Sequence, residues 1–354
     1  MGSGLSLVHA RFVPSRPHPS PDLGAIRHAT FDDTTHGGNG EPAARRGRAY
    51  RGDRQARQHP GSHYGVLARD FAAVDRNTSW AVADKIHLDF QTFHTEGLAV
   101  TPRHLFLSAV EIIEPTQKYP KPVGGYDRTA GKGVGHLFVM DLQGNLQKDI
   151  TLGRGDMYHP GGISFDGTDV WVPVAQYRPD SSSIIYRVDA RTLRVHKQFE
   201  VDDHIGGIVR DETSHHLVGN TWGSRRFYEW SPSGKQRDTW LNDSHFVDYQ
   251  DCQYVPSAKM ICGGVTNLEQ TPTAGGPSAV YELGGLALLD LRTHRILHEV
   301  PFQKWSAAGH VMTRNPLKLE ATGHRIDLWA APDNGEETRG TEVFHYQAEV
   351  VPTS

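Results

Sequence analysis

From Trp80 onward, short apolar runs alternate with clusters of Gly, Pro, Asp, Asn and Ser. The runs are rich in β-branched and aromatic residues, as in LFLSAV from Leu105, VWVPVA from Val170, SIIYRVD from Ser183 and GLALLDL from Gly285. Runs of this kind between turn formers predict strands joined by tight hairpins. One phrase recurs among them: His159-Pro160-Gly161-Gly162-Ile163, then His204-Ile205-Gly206-Gly207-Ile208, then Tyr249-Gln250-Asp251-Cys252-Gln253, with first residues 45 positions apart each time. A fixed period in the forties is the signature of a propeller. Counting back from the neighbouring turns puts His94, followed by Glu96, and Arg314 in the same slot, which makes five copies.

Each copy carries a second and a third strand, and most carry a fourth, such as LQKDITL from Leu146 or VHKQFEV from Val195. The last copy ends at its third strand near Gln347, while WAVADKIHLDF from Trp80 stands before the first copy without a partner. An N-terminal strand that completes the last blade would remove the open sheet edges. The prediction is an all-β chain, a β-propeller of five blades of four antiparallel strands closed by that N-terminal strand. Six blades is the alternative, because the first and fourth copies carry insertions long enough to hold extra strands.

Composition sharpens the boundaries. Residues 67–354 are enough for one propeller domain with a large buried core. Residues 1–66 are dominated by Arg, His, Pro, Gly and Ser, as in ARRGRAYRGDRQARQHPGSH from Ala44, and are expected to be a disordered or mis-assigned N-terminal segment. They contain no apolar stretch with the character of a signal peptide. A net charge of −4 and a pI near 6.6 give no basic stripe for nucleic acid, and no apolar run approaches the roughly 18 residues of a membrane span. Cys252 and Cys262 flank a turn near Ser257, so they face each other across a hairpin, either as a disulfide or as two small buried hydrophobes. A bond would point to a secreted or periplasmic protein.

In a propeller the innermost strands begin at the mouth of the central channel. The repeated slot therefore brings His94, His159, His204, Tyr249 and Arg314 together, with Glu96 and Asp251 two residues further along their strands. Three imidazoles and a carboxylate have the donors for one divalent cation, calcium or zinc, with His94, Glu96, His159 and His204 as its ligands. The same four suit acid–base catalysis without metal, with arginine opposing developing negative charge, and they also suit structural capping of the blades. The second-strand ends open on the same face and add Arg178, Trp222, Arg225 and Asn267. With Tyr249, Asp251 and Arg314 these are the expected substrate-binding residues. An aromatic surface at Trp222 and Tyr177 beside arginines fits a small ligand that is partly flat or sugar-like and partly anionic. The insertion over residues 111–133 is too long for a blade hairpin and reads as a lid, with residues 268–282 as a second flap.

The stretches FHTEG from Phe93, YDRTAGKGVGHLF from Tyr126, YHPGGISFDG from Tyr158, DDHIGGIV from Asp202, WGSRRFY from Trp222, DYQDC from Asp248 and GGLALLDL from Gly284 resemble a bacterial and fungal family of unknown function. Its members often carry secretion signals, so the resemblance implies a propeller and an exported location. A weaker likeness is to the gluconolactonase and senescence-marker propeller hydrolases, where a Glu-Gly on the first inner strand supplies a metal-binding carboxylate; Glu96-Gly97 matches it. Where that group has Asn and Asp on other blades, this chain has His159, His204 and Tyr249. The functional expectation is an exported hydrolase of a small ester, lactone or sugar-like substrate. The alternatives are a non-catalytic ligand-binding propeller and a propeller isomerase or cyclase. Oligomeric state is left open.

Overall fold

The structure, a computed structural model, describes residues 61–270, 279–337 and 340–351. Most of the N-terminal segment that composition sets apart lies outside these residues. The boundary drawn at residue 66 falls within a helix, Gly61–Phe71.

Five antiparallel sheets form the blades of a propeller. The first runs from its inner strand His94–Val100 through Leu105–Glu114 and Lys132–Met140 to Leu146–Leu152. The second begins with a broken inner strand, Met157–Pro160 and Ser164–Phe165, followed by Asp169–Gln176, Ser183–Asp189 and Val195–Val201. The third comprises Ile205–Arg210, Leu217–Thr221, Arg226–Trp230 and Gln236–Leu241. The fourth comprises Asp248–Val255, Lys259–Gln270, Ala279–Asp290 and Arg295–Phe302. The fifth takes Leu317–Thr322, Arg325–Ala330 and Thr341–Glu349, and is completed by Ala81–Leu88 paired antiparallel to Thr341–Glu349. The count is five, and the surplus N-terminal strand closes the ring.

Burial explains why the inner strands read as nearly continuous apolar runs rather than alternating ones. Each blade is covered on both faces, and one apolar cluster fills each gap between neighbours. Phe106 and Val172 meet between blades one and two, Trp171 and Trp230 between two and three, and Phe227 and Met260 between three and four. Leu286 and Phe344 pack between four and five, and Leu107 and Val343 between five and one. The helix Gly61–Phe71 adds Leu67 and Phe71 to the cluster between blades four and five.

The recurring phrase builds the floor of the ring. Its inner strands bulge at Glu96, Gly206 and Gln250, where pairing with the second strand skips one residue. A bulge re-aims the side chain it carries. The residue after each bulge approaches the axis and is Gly97 in blade one, Gly207 in blade three and Asp251 in blade four, and Gly162, in the break of the inner strand of blade two, does the same. A Cβ on Gly162 would stand 2.3 Å from the Gln250 carbonyl oxygen, and one on Gly97 would stand 2.6 Å from the Ile163 nitrogen. Only glycine lets the backbones converge this far, and Gly162 bridges Gly207 across neighbouring blades.

Asp251 fills the space these glycines leave. It is fully buried. Its Oδ2 accepts the N–H groups of Leu98 at 2.8 Å and Leu317 at 3.1 Å, and its Oδ1 accepts that of Ile163 at 3.0 Å. One carboxylate on blade four thus ties together the inner strands of blades one, two and five and closes the channel. The residue expected to bind substrate is instead the hub of the ring.

Register also moves the fourth slot by one residue. Asp248, not Tyr249, is equivalent to His94, because Tyr249 pairs with Gly264 as Thr95 pairs with Ala109. The 45-residue spacing matched a phrase whose true offset is 44 at this blade. Cys252 and Cys262 are direct cross-strand partners and are disulfide-bonded.

Candidate functional site

Above this floor lies a cavity of about 270 Å³ lined by His94, Glu96, His159, Tyr177, His204, Trp222, Asp248, Tyr249, Gln250, Asn267, Arg314 and Asn315, among others. The bulge aims Glu96 at the imidazoles of its own blade and the next. Its Oε1 lies 2.8 Å from His94 Nε2 and 3.0 Å from His159 Nε2, and Glu96 and His159 are both 5% exposed. Those distances suit hydrogen bonds but the directions do not: Oε1 and both nitrogens of His159 have no directed partner. The three ligand atoms lie within 4.8 Å of one another.

Electrostatics couple the three groups. Burial opposes a charged Glu96, yet His94 and His159 outweigh it and hold its carboxyl well below the usual carboxylate range. Burial likewise works against charge on His94, while the Glu96 carboxylate prevails and lifts the imidazole above its ordinary value. His204 is outside this triangle. Its ring stands 5.6 Å from that of His159 and meets Trp222 edge-on at 4.8 Å. Burial, with His159 beside it, pushes His204 down to about 3, so it is neutral. Its Nδ1 donates to the Gln176 carbonyl oxygen at 2.8 Å, which leaves Nε2 as an acceptor.

One wall is aromatic. Tyr177 stacks on His159 at 4.1 Å, and Trp222 lies 5.8 Å from Tyr177. The insertion expected as a lid reaches this wall. Its strands extend blade one to Glu114 and from Lys132, and its tip is a hairpin of Lys118–Val123 and Tyr126–Arg128. The Arg128 guanidinium sits 5.0 Å over Trp222, and that of Arg178 sits 3.4 Å over Tyr126. Arg178 therefore clasps the insertion to the rim and does not line the cavity. Arg225 is also outside the lining, where it donates to the Gly223 and Ser244 carbonyls and pairs with Asp248 at 3.0 Å. Tyr249 lines the cavity but packs towards Phe227. The second flap is formed by the long strands of blade four, and its tip, residues 271–278, is outside the described residues.

Arg314 enters from the opposite wall, with Nε 3.5 Å from Glu282 and Nη1 3.7 Å from Glu337. His310 bridges the same two carboxylates, Nδ1 to Glu282 at 2.8 Å and Nε2 to Glu337 at 3.1 Å. Glu337 in turn accepts from the Asn334 amide at 2.8 Å, and the Asn334 oxygen lies 2.8 Å from His94 Nδ1. Sequence reading missed Glu282, His310 and Glu337. They sit outside the repeated slot, and only the three-residue turn between Asn334 and Glu337 is a local signal.

Residues 61–352 match a family described as a family of unknown function, DUF6454. No curated protein matches the chain. Among solved structures, a DUF4221 member from Bacteroides vulgatus is similar at 9% identity and TM-score 0.38, covering 79% of this chain and 100% of its own. A protein of unknown function from Bacteroides caccae aligns at 10% identity and TM-score 0.39, over 69% of this chain and 74% of its own. A luciferin-regenerating enzyme aligns at 9% and 0.41, over 76% and 95%. Likenesses this distant carry no functional reading, and a likeness to gluconolactonases is not shown. No helix among the described residues is long and apolar enough to cross a membrane.

Proposed function

Because the chain belongs to this family of unknown function, we propose a function from its site alone: a metal-dependent hydrolase of a small ester, lactone or sugar-like substrate, with His94, Glu96 and His159 as metal ligands. The observation that carries this reading is Glu96 Oε1, 2.8 and 3.0 Å from two imidazole nitrogens and in hydrogen-bond alignment with neither. Lone pairs that converge beside one another rather than on one another call for a cation between them. Two imidazoles and one carboxylate match the ligand set of catalytic zinc sites, which keep a fourth position for water. Nitrogen donors favour zinc or a similar transition metal over calcium, which takes oxygen.

When bound, such an ion lowers the pKa of its water and polarises a carbonyl. The protein's own groups do the rest. Neutral His204 lines the cavity with Nε2 free to accept a proton there. Tyr177 and Trp222 give a flat substrate a surface to lie on, and Arg314 faces it from the other wall. Export accompanies this proposal, supported by the Cys252–Cys262 disulfide.

Elemental analysis after dialysis against zinc tests the reading. The wild-type chain is expected to retain about one equivalent, and Glu96→Gln and His159→Ala to retain almost none while keeping their fold by circular dichroism. The metal-loaded wild type is then assayed on a panel of aryl esters and lactones, with turnover expected to vanish in Glu96→Gln. A wild-type protein that leaves dialysis free of metal would sink the proposal.

A further inference from the structure

We infer that Asn334, oriented by Glu337, is a positioning residue that locks His94 in the Nδ1–H tautomer and so keeps its Nε2 lone pair on the cavity; the part of this that concerns metal rests on the proposal above. An amide's oxygen and nitrogen are told apart by their partners. The Asn334 Nδ2 lies 2.8 Å from Glu337 Oε1, and the Asn334 backbone N–H lies 3.1 Å from Glu337 Oε2. An ionised carboxylate only accepts, so the amide nitrogen must face Glu337 and the amide oxygen must face His94. His94 Nδ1, 2.8 Å from that oxygen, therefore donates. In the neutral ring Nε2 is left as the acceptor, 2.8 Å from Glu96 Oε1.

Glu337 is itself held by His310 at 3.1 Å and Arg314 at 3.7 Å. His310 is anchored by Glu282, whose second oxygen accepts the Val311 N–H at 2.8 Å. A continuous line thus runs from the third strand of blade four, through the loops around blade five, to the slot histidine of blade one. The other two histidines of the slot lack such a line. His204 uses a backbone carbonyl, and His159 Nδ1 has no directed partner. Partners of this kind set the orientation and basicity of a metal-bound imidazole, and their loss typically costs about 10- to 100-fold in metal affinity.

Two measurements on the full chain test this, with Asn334→Ala and the charge-conserving swap Asn334→Asp/Glu337→Gln, in which the new carboxylate accepts from His94 and the new amide donates to it. The first is the ¹⁵N imidazole spectrum of the metal-free protein at a pH where the ring is neutral, with His94→Gln for assignment. Wild type and the swap are expected to show His94 as Nδ1–H, and Asn334→Ala a mixture of tautomers. The second is zinc affinity by chelator competition, expected to fall about 10- to 100-fold in Asn334→Ala and to return to within a few-fold of wild type in the swap. An Nε2–H tautomer in wild type, or equal zinc affinity in Asn334→Ala, overturns the inference. A wild type that shows the Nδ1–H tautomer yet binds no zinc overturns the metal reading and leaves the tautomer assignment standing.

Discussion

Three blades carry glycine where the fourth carries Asp251, and that single exchange decides what the axis of the ring is made of. Burial pushes the Asp251 carboxyl well above the usual carboxylate range, outweighing the backbone N–H groups of Leu98, Leu317, Ile163 and Cys252 that pull it down. Asp251→Asn would turn one accepting oxygen into a donor facing N–H groups it now satisfies. A buried donor left unmade costs about 1–3 kcal/mol, so unfolding free energy by chemical denaturation is expected to fall by about 3 kcal/mol. Unchanged stability would mean that the carboxylate is not the acceptor. His94, Glu96 and His159 were legible in the sequence because they recur at a fixed spacing from turns. The role of Asp251 was not, because nothing in one strand says that three others end against it. Asp248 escaped for a smaller reason: a one-residue slip in the period placed Tyr249 in its slot.

Strands and hairpins were readable from composition alone, down to the unpartnered run at Trp80. Their ends were less so. The strands flanking the insertion in blade one run on past the rim to Glu114 and from Lys132, and the Pro- and Lys-rich tip folds as a hairpin held by Arg128 on Trp222 and Arg178 on Tyr126. Cation–π contacts between distant segments leave no periodic trace. The hairpin pairing that made a Cys252–Cys262 bond geometrically reasonable is the observed one, with the two residues directly opposite. The bond closes a loop with a sequence separation of 10. Constraint of so short a loop is worth about 3 kcal/mol, so a reductant is expected to lower Tm by a few degrees. A melt unchanged by reductant in a protein verified as reduced would show that hairpin pairing alone holds these strands.

At the scale of the molecule, stability depends on closing the ring. A chain that begins at Trp80 loses the helix Gly61–Phe71, with Leu67 and Phe71 from one apolar cluster, and is expected to melt cooperatively at a lower temperature. A chain that begins after Leu88 also loses the closing strand, leaving Thr341–Glu349 as an open edge and removing Leu88 from the cluster between blades five and one. It is expected to elute as aggregate in size-exclusion chromatography; a monomeric, cooperatively melting product would show that the ring holds without its clasp. The same closure orders events on the ribosome. Ala81–Leu88 emerges before every other strand of the ring and meets Thr341–Glu349 only after the rest have been made. At about 5–20 residues per second that interval lasts roughly 10 to 50 s. The waiting segment carries Asp84, Lys85 and His87, and in the finished protein all of its residues but Ile86 and Leu88 remain exposed. A nascent chain with so polar a leading strand offers little for a neighbouring nascent chain to stick to, so the newborn protein can wait for its own C-terminus.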